Sequence, residues 1–264
     1  MHNLIQKIAR IPFIASIRRS HRIRSDAQQE ATVWTDHDQQ MQEFYSQFLQ
    51  PGDLCFDVGA NIGNRLKIFR RLGARIVAVE PQRECAQALR LWYGSDSNVT
   101  ILENALSDSK GTSELMTSNF HMISSLSKEW VEATQKSGRF ASQRWKSAGL
   151  VDLLTMDDLI ARFGLPRFAK IDVEGFELKV IKGLTRPVPF ISLEFTPETK
   201  QSSIECLDWL ARLGNALFNF SYGESMSLHF TQWINFDAAR AFLGGLEVTS
   251  EVWGDIYVSF PDAR

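Results

Sequence analysis

The sequence predicts an α/β domain with a mostly parallel, seven-stranded sheet and helices on both faces. Short apolar segments alternate with helical segments along most of the chain, which is typical of βαβ units. The 264 residues are 44% hydrophobic and 23% charged, close to the averages of globular proteins. The formal net charge is −2, so no global positive field attracts nucleic acid. We expect a folded domain that has no nucleic-acid partner.

The predicted elements follow one another with short connections. The predicted strands span residues 54–58, 75–79, 99–102, 168–173, 190–195, 218–222 and 255–260. The predicted helices span residues 38–50, 64–72, 83–93, 177–182 and 204–213. Residues 107–150 interrupt this rhythm, because they are rich in Ser, Thr, Lys and Arg and hold only a predicted strand (112–116) and helix (127–136). Such an excursion is either a lid over the site or a surface elaboration.

The N-terminal region has a composition of its own. Residues 1–24 hold six Lys and Arg residues, and no acidic residue precedes Asp26. We assign residues 1–37 to a basic extension and residues 38–264 to the main domain. Residues 1–24 form a solvated helix or a frayed terminus, or they lie on an anionic membrane surface.

Two further features concern the cellular compartment. The uncharged run at residues 11–17 is far shorter than the roughly 20 residues that a membrane span needs. The three cysteines, Cys55, Cys85 and Cys206, are odd in number and lie mostly in apolar segments, which predicts buried thiols in a reducing compartment. We expect a cytoplasmic protein, with peripheral membrane contact through residues 1–24 as an addition.

A glycine-containing turn between a strand and a helix gives the sharpest local signal, Phe-Asp-Val-Gly-Ala-Asn-Ile-Gly at residues 56–63. Ligands of open α/β sheets bind at the carboxyl ends of the strands. Gly59 can adopt a positive φ and admit a ligand to the backbone, and Gly63 would let the helix approach the strand closely. Asn61 replaces the second glycine of a dinucleotide-binding turn. The Asp57 carboxylate would repel a pyrophosphate but attract a sulfonium or ammonium group.

The next predicted strand ends in Glu80, 23 residues after Asp57. A carboxylate at that position can accept hydrogen bonds from both hydroxyls of a ribose. Alone, Glu80 would be interpreted as a solvated loop residue before Pro81. Its spacing from the glycine turn favours the nucleotide site instead.

Charged residues also follow the predicted strand at 168–173. In an extended strand, Lys170, Asp172 and Glu174 would point to one side, where either acid could accept a proton and Lys170 could orient them. The alternative is a structural ion pair that caps the next helix. Glu194 ends the following strand and could face the same cleft. With Asp172 and Glu174 it could bind a divalent cation, although we expect an acid that orients Lys170 or solvent, and no resident metal.

His121, in the polar excursion, could act as a base at neutral pH. A surface or internally hydrogen-bonded histidine is the alternative.

Together these segments resemble the FkbM family of class I S-adenosylmethionine-dependent methyltransferases over about residues 51–195. The resemblance is carried by residues 56–63, 79–81 (Val-Glu-Pro), 104–108 (Asn-Ala-Leu-Ser-Asp), 124–126 (Ser-Ser-Leu), 155–159 (Thr-Met-Asp-Asp-Leu) and 170–175 (Lys-Ile-Asp-Val-Glu-Gly). It implies a Rossmann-like fold, S-adenosylmethionine as cofactor, and O-methylation of a hydroxyl on a sugar, glycan or other small metabolite.

The resemblance also implies roles for individual residues. The methionine moiety would be held by Asp57, Gly59, Asn61 and Gly63. Glu80 would hold the ribose, and Asn104, Ala105 and Leu106 would flank the adenine. The resemblance also favours Asp172, Glu174 and Lys170 as the catalytic residues. The positions and chemistry of Glu194 and His121, apart from the resemblance, suggest contact with the substrate. An NAD-binding Rossmann-like protein and a non-catalytic member of the fold remain as alternatives.

Overall fold

A computed structural model describes residues 12–140, 142–247 and 252–263. Its helices are α1 (Pro12–Thr32), α2 (Asp36–Tyr45), α3 (Asn64–Arg71), α4 (Arg83–Tyr93), α5 (Lys128–Ser137), α6 (Met156–Phe163), α7 (Glu177–Lys182), α8 (Lys200–Leu213) and α9 (Phe236–Gly245). Its strands are β1 (Leu54–Val58), β2 (Arg75–Val79), β3 (Val99–Leu102), β4 (Ala105–Leu106), β5 (Gly111–Thr117), β6 (Ser124–Ser125), β7 (Lys146–Leu154), β8 (Phe168–Ile171), β9 (Phe190–Phe195), β10 (Leu217–Tyr222) and β11 (Gly254–Ser259).

Seven strands form the central sheet in the order β10-β11-β9-β8-β1-β2-β3. Strands β9, β8, β1, β2 and β3 run parallel to one another. Strand β11 lies between β9 and β10 and is antiparallel to both. All five residues of β1 are buried, as expected for a strand that is covered on both faces. The prediction of a mostly parallel, seven-stranded Rossmann-like sheet is therefore confirmed. The carboxyl ends of β9, β8, β1, β2 and β3 lie side by side along one edge.

Aromatic rings fill the face of the sheet beneath α2. The Phe48 ring stacks on the rings of Phe168 and Tyr257, with centroid distances of 5.5 and 5.4 Å. The predicted helix over residues 38–50 stops at Tyr45, and the chain continues as a turn. Phe48 and Leu49 are nevertheless buried, because the turn keeps them against the sheet. This packing holds α2 and the turn that follows it against the sheet.

The polar excursion forms a second sheet with the strand order β4-β7-β5-β6. The predicted strand and helix of this region correspond to β5 and α5. Strand β7 was missed, since its residues are mostly exposed and carry little apolar pattern. Helices α6 and α9 were also missed. The segment Thr155-Met-Asp-Asp-Leu begins α6, where Thr155 and Asp158 form a reciprocal cap. That part of the family pattern therefore has a structural role.

The N-terminal helix packs on the domain more closely than a solvated helix would. Ile23 and Ala27 are buried against Cys85 and Ala88 of α4. Residues 1–11 lie outside the described part of the chain, and side chains are described from Arg18 onward. The boundary at residues 37 and 38 and the membrane contact of residues 1–24 stay predictions. Among the described helices, none combines the length and apolar character that a bilayer crossing requires. All three cysteines are free and buried, as predicted.

Candidate active site

One cavity of about 300 Å³ follows the carboxyl edge of the central sheet. It is lined by the ends of four parallel strands, by β4, and by the segment that enters α5. Of the predicted site residues, the lining includes Gly59, Asn61, Glu80, Asn104, Ala105, Leu106, Asp172, Glu174 and Glu194. Four predicted site residues are not in the lining and lie behind it: Asp57, Gly63, Lys170 and His121. The order of the strands separates Glu80, after β2, from Glu194, in β9, by three strand spacings, or about 14 Å.

The glycine turn after β1 is held by the backbone of two neighbouring strands. Gly59 has a φ of +86°, as predicted. A Cβ atom at Gly59 would lie 1.8 Å from the Asp172 carbonyl oxygen, so the close approach at this glycine comes from the chain itself. Asn61 also adopts the left-handed region, with a φ of +48°, which Asn tolerates better than most side chains. This explains how Asn61 can stand where a dinucleotide turn has glycine.

Gly63 has a different neighbour from the one predicted. A Cβ atom there would lie 2.9 Å from a methyl carbon of Leu89 and 3.1 Å from the Tyr93 ring. Both side chains belong to α4. Gly63 therefore allows the start of α3 to approach α4 and does not serve the approach to the strand that the sequence suggested.

Glu80 is buried at the end of β2, and its carboxylate accepts two backbone hydrogen bonds. The N–H of Asn61 donates to one oxygen at 2.8 Å, and the N–H of Gln82 donates to the other at 2.7 Å. Burial raises the pKa of Glu80 to about 7, although these hydrogen bonds oppose the shift. Each oxygen keeps a further lone pair, so the carboxylate can also accept ribose hydroxyls. Beside it, Pro81, Ala105 and Leu106 give the cavity an apolar wall.

Asp57 lies behind the turn and is only 2% exposed. Its Oδ2 atom has no hydrogen-bond partner among the described residues. Burial raises the pKa of Asp57 to about 7, while the charges of Lys170 and Arg65 lower it and that of Asp172 raises it. An unpartnered buried carboxylate beside the turn suits a positively charged ligand better than an anionic one.

Lys170 is a buried cation that pairs with two acids, one in the loop after β8 and one in β11. Its Nζ atom lies 3.2 Å from an oxygen of Asp172 and 3.0 Å from an oxygen of Asp255 in β11. Burial lowers the pKa of Lys170, but the two carboxylates outweigh this and raise it well above its ordinary value. Lys170 therefore stays protonated and orients Asp172. Asp255 was not identified from the sequence, because its strand is distant along the chain.

The acids after β8 and in β9 come together, although not by the strand alternation that was predicted. Strand β8 ends at Ile171, and Asp172 and Glu174 belong to the following loop, where Glu174 has a φ of +53°. One carboxylate oxygen from each of Asp172, Glu174 and Glu194 lies within 4.8 Å of the other two. Burial, together with the charge of Asp172, raises the pKa values of Glu174 and Glu194 well above their ordinary range. The sequence analysis expected no resident metal at these three acids, and this stays a prediction.

The loop that carries Glu174 is fixed from two sides. Ser125 of the second sheet donates a hydrogen bond to the Glu174 carbonyl at 2.6 Å. The Glu177 carboxylate accepts from the N–H groups of Val173 and Gly175 at 3.1 and 3.2 Å. Ser125 belongs to the Ser-Ser-Leu segment of the family pattern. Because its hydroxyl binds the Glu174 carbonyl, its contribution is to position the loop.

His121 is buried and has a protein partner at each ring nitrogen. Nδ1 lies 2.9 Å from Oδ1 of Asn61, and Nε2 lies 3.2 Å from a carboxylate oxygen of Asp26 in α1. Burial lowers the pKa of His121, although Asp26 opposes the shift. With a protein partner facing each ring nitrogen and the ring outside the lining, His121 contacts Asn61 of the glycine turn. The predicted contact with substrate stays a prediction.

Several cavity residues were missed in the sequence, among them Arg65, Glu224 and Trp253. Arg65, in the first turn of α3, forms a bidentate pair with Glu224 at 2.7 and 2.6 Å. Trp253 precedes β11 and is 37% exposed. Arg65 follows the glycine turn directly and could have been suspected, whereas Glu224 and Trp253 are isolated loop residues without a motif.

We compared the chain with known proteins. The family model described as "Methyltransferase FkbM domain" matches residues 57–220. No protein with a curated description matches. Solved structures with a similar fold include the precorrin-6y C5,15-methyltransferase from Geobacter metallireducens, with 11% identity over 83% of this chain and 88% of that one and a TM-score of 0.44. The plantazolicin methyltransferase BpumL, in complex with SAH, has 9% identity over 92% and 89% of the two chains and a TM-score of 0.40.

The family match covers more than half of the chain. It includes the glycine turn, Glu80 and the acidic loop, which are the parts that form the cavity. S-adenosylmethionine is the methyl donor that this membership implies, and the buried acids around the turn suit its positive charge. The chain belongs to the FkbM methyltransferase domain family.

The pKa values of the buried acids predict how stability depends on pH. Asp57, Glu80 and Glu177 each have a pKa raised to about 7 by burial. Their stabilising effect is therefore complete below their unfolded values near 4 and is lost as the pH rises through about 7. His121, with its lowered pKa, acts in the opposite direction, whereas the raised pKa values of Glu174 and Glu194 act in the same direction as those of the three acids. We expect the melting temperature of the cofactor-free protein to fall by roughly 4 °C or more between pH 5 and pH 8. A constant or rising melting temperature would contradict these assignments.

Glu80 provides a direct test of the cofactor site. Loss of hydrogen bonds to a charged group costs about 1.5–3 kcal/mol, so Glu80→Ala should weaken S-adenosylmethionine binding roughly 10- to 150-fold by calorimetry. Glu103→Ala, which removes the acid that follows β3, serves as the matched control and should bind normally. Equal affinity of both variants for the cofactor would contradict the ribose assignment.

Proposed function

We propose that this protein transfers a methyl group from S-adenosylmethionine to a hydroxyl of a sugar, glycan or other small metabolite. The observation that carries the proposal is the close group of Asp172, Glu174 and Glu194 at the end of the cavity away from Glu80. A hydroxyl is a weak nucleophile and needs an acceptor for its proton. Closely spaced carboxyls share protons, which makes the ionised one a stronger base.

Different residues along the cavity would bind the nucleoside, bind the methionine end and accept the proton. Glu80, Asn104, Ala105 and Leu106 would hold the nucleoside, and Gly59 and Asn61 would hold the methionine end. Asp57 would act on it from behind the turn through its charge, and Gly63 would support the turn. The cofactor supplies an electrophilic methyl group on a sulfonium. That methyl group would be transferred to the acceptor oxygen, with the carbon–sulfur electron pair left on sulfur, and Glu174 or Glu194 would accept the hydroxyl proton. Lys170 stays protonated and holds Asp172 beside the pair.

Replacement of Glu174 separates chemistry from cofactor binding. Glu174→Gln keeps the shape of the side chain but removes its capacity to accept a proton. Loss of a general base costs about 10²- to 10⁴-fold in rate, so we expect at least a 10²-fold loss of kcat/KM. Affinity for S-adenosylhomocysteine should remain within about twofold of wild type. Glu132→Gln, on the exposed face of α5, is the control. Full activity of Glu174→Gln would exclude Glu174 as the base.

A second acceptor class is favoured by the charge of the cavity. Its lining holds six carboxylate residues, Glu30, Glu80, Asp172, Glu174, Glu194 and Glu224, against one cation, Arg65. Arg65 is paired with Glu224, and Lys170 pairs with Asp172 from below. Glu174 and Glu194 make no ion pair within the described residues. An acceptor with a protonated amine would supply a positive charge to pair with Glu174 and Glu194. It would then lose a proton to these acids and be methylated on nitrogen.

Product analysis distinguishes the two acceptor classes. The protein is incubated with methyl-labelled S-adenosylmethionine and matched pairs of neutral and amino sugars, together with fractionated metabolites. Mass spectrometry and NMR then locate the labelled methyl group. Oxygen-linked label supports the main proposal, and nitrogen-linked label supports the second one. Binding of the cofactor without a labelled product in any fraction would favour a non-catalytic member of the family.

A further inference from the structure

The N-terminal helix reaches the cofactor turn through polar side chains. Arg19 of α1 donates hydrogen bonds to the Ser118 carbonyl and, at 2.8 Å, to Oε1 of Gln82. Arg22 donates to the Asn119 carbonyl. The apolar face of the same helix is buried on α4. The segment 118–121 is therefore held between α1 and the edge of the central sheet.

His121 continues this connection from α1 to Asn61. The Nδ2 atom of Asn61 donates to the His121 carbonyl at 2.9 Å. This contact sets the orientation of the amide, so that Oδ1 of Asn61 faces Nδ1 of the histidine ring. On the other side of the ring, Nε2 faces the carboxylate of Asp26. The ring thus fills the space between a helix outside the sheet and a residue of the cofactor turn.

Asn61 and Gln82 then connect His121 to Glu80. The backbone N–H groups of both residues donate to the Glu80 carboxylate, and both side-chain amides donate to the His121 carbonyl. Asn61 holds a left-handed conformation, which needs support from its surroundings. A continuous set of polar contacts therefore runs from Asp26 through His121 and Asn61 to the acid assigned to the ribose.

We propose that Asp26 and His121 are positioning residues for the cofactor site, and that cofactor binding and the docking of α1 strengthen each other. The inference rests on the assignment of S-adenosylmethionine to this cavity. Asp26 fixes the His121 ring, and the ring fixes Asn61 in the conformation that aims its N–H at Glu80. By linkage, a ligand that stabilises the ordered turn also stabilises the contact with α1 by the same factor. The N-terminal helix is then part of the functional unit and not an appendage to it.

The experiment compares Asp26→Asn with Arg24→Gln, which removes an exposed charge from the same helix. Binding of S-adenosylhomocysteine is measured by calorimetry in the full chain. We expect roughly a 3- to 10-fold weaker affinity for Asp26→Asn, in the range of residues that act through a network, and less than about twofold for Arg24→Gln. Hydrogen exchange of the amides of residues 18–32 is measured in parallel. The ligand should slow this exchange in the wild type and in Arg24→Gln, and much less in Asp26→Asn.

If Asp26 had a structural role alone, its replacement would lower the melting temperature without changing the affinity for S-adenosylhomocysteine or the effect of the ligand on hydrogen exchange. His121→Asn serves as a second variant if Asp26→Asn does not fold, and we expect it to show the same loss of coupling. Wild-type affinity in these variants, or ligand-independent exchange of α1 in the wild type, would overturn the positioning role alone. Absence of any S-adenosylhomocysteine binding by the wild type would instead overturn the cofactor assignment together with the inference.

Discussion

The site depends on one buried cation. Lys170 lies at the centre of the sheet, and its ammonium group pairs with Asp172 at the carboxyl edge and with Asp255 from β11. Its charge also acts on Asp57 behind the glycine turn. Acids gathered in a low-dielectric region repel one another. The buried positive charge of Lys170 allows these carboxylates to approach one another, and its removal would leave Asp172 and Asp255 without their ion-pair partner.

The second sheet completes the site from above. The Ser125 hydroxyl holds the Glu174 carbonyl, and Trp130 of α5 packs against Gly175 so closely that a Cβ atom there would lie 2.3 Å from the indole ring. The excursion is thus coupled to the loop that carries the proposed base. Leu115, Met122 and Leu126 of the same region line the cavity, which agrees with the lid alternative more than with a surface elaboration.

Charge is distributed unevenly over the molecule. The cavity is strongly acidic, whereas residues 1–24 contain six basic residues and no acids. The acidic cavity suits a cationic methyl donor, and Glu174 and Glu194 make no ion pair within the described residues. In the described part of the basic segment, Arg19 and Arg22 donate hydrogen bonds to the backbone carbonyls of Ser118 and Asn119, next to the segment that contacts the glycine turn. Some of its positive charge therefore has an internal structural use.

The sequence alone was sufficient for the fold class, the family and most of the core elements. Alternating apolar segments indicate burial directly. Residues 56–63, Glu80 and Asp172 each follow a strand, and the carboxyl ends of parallel strands lie at one edge of the sheet. Strand β7 and helix α9 were missed because half-exposed elements lack a clear apolar pattern. The cavity lining was predicted for residues within motifs, such as Asn104 to Leu106.

Only the tertiary structure could decide which side chains meet. Asp255 reaches Lys170 because the antiparallel β11 inserts beside β9, and Asp26 reaches His121 because α1 packs on α4. Neither contact leaves a local pattern, since the partners are separated by 85 and 95 positions in the chain. Local periodicity encodes secondary structure and burial, whereas the pairing of distant polar groups depends on the strand order and on the packing of helices across it.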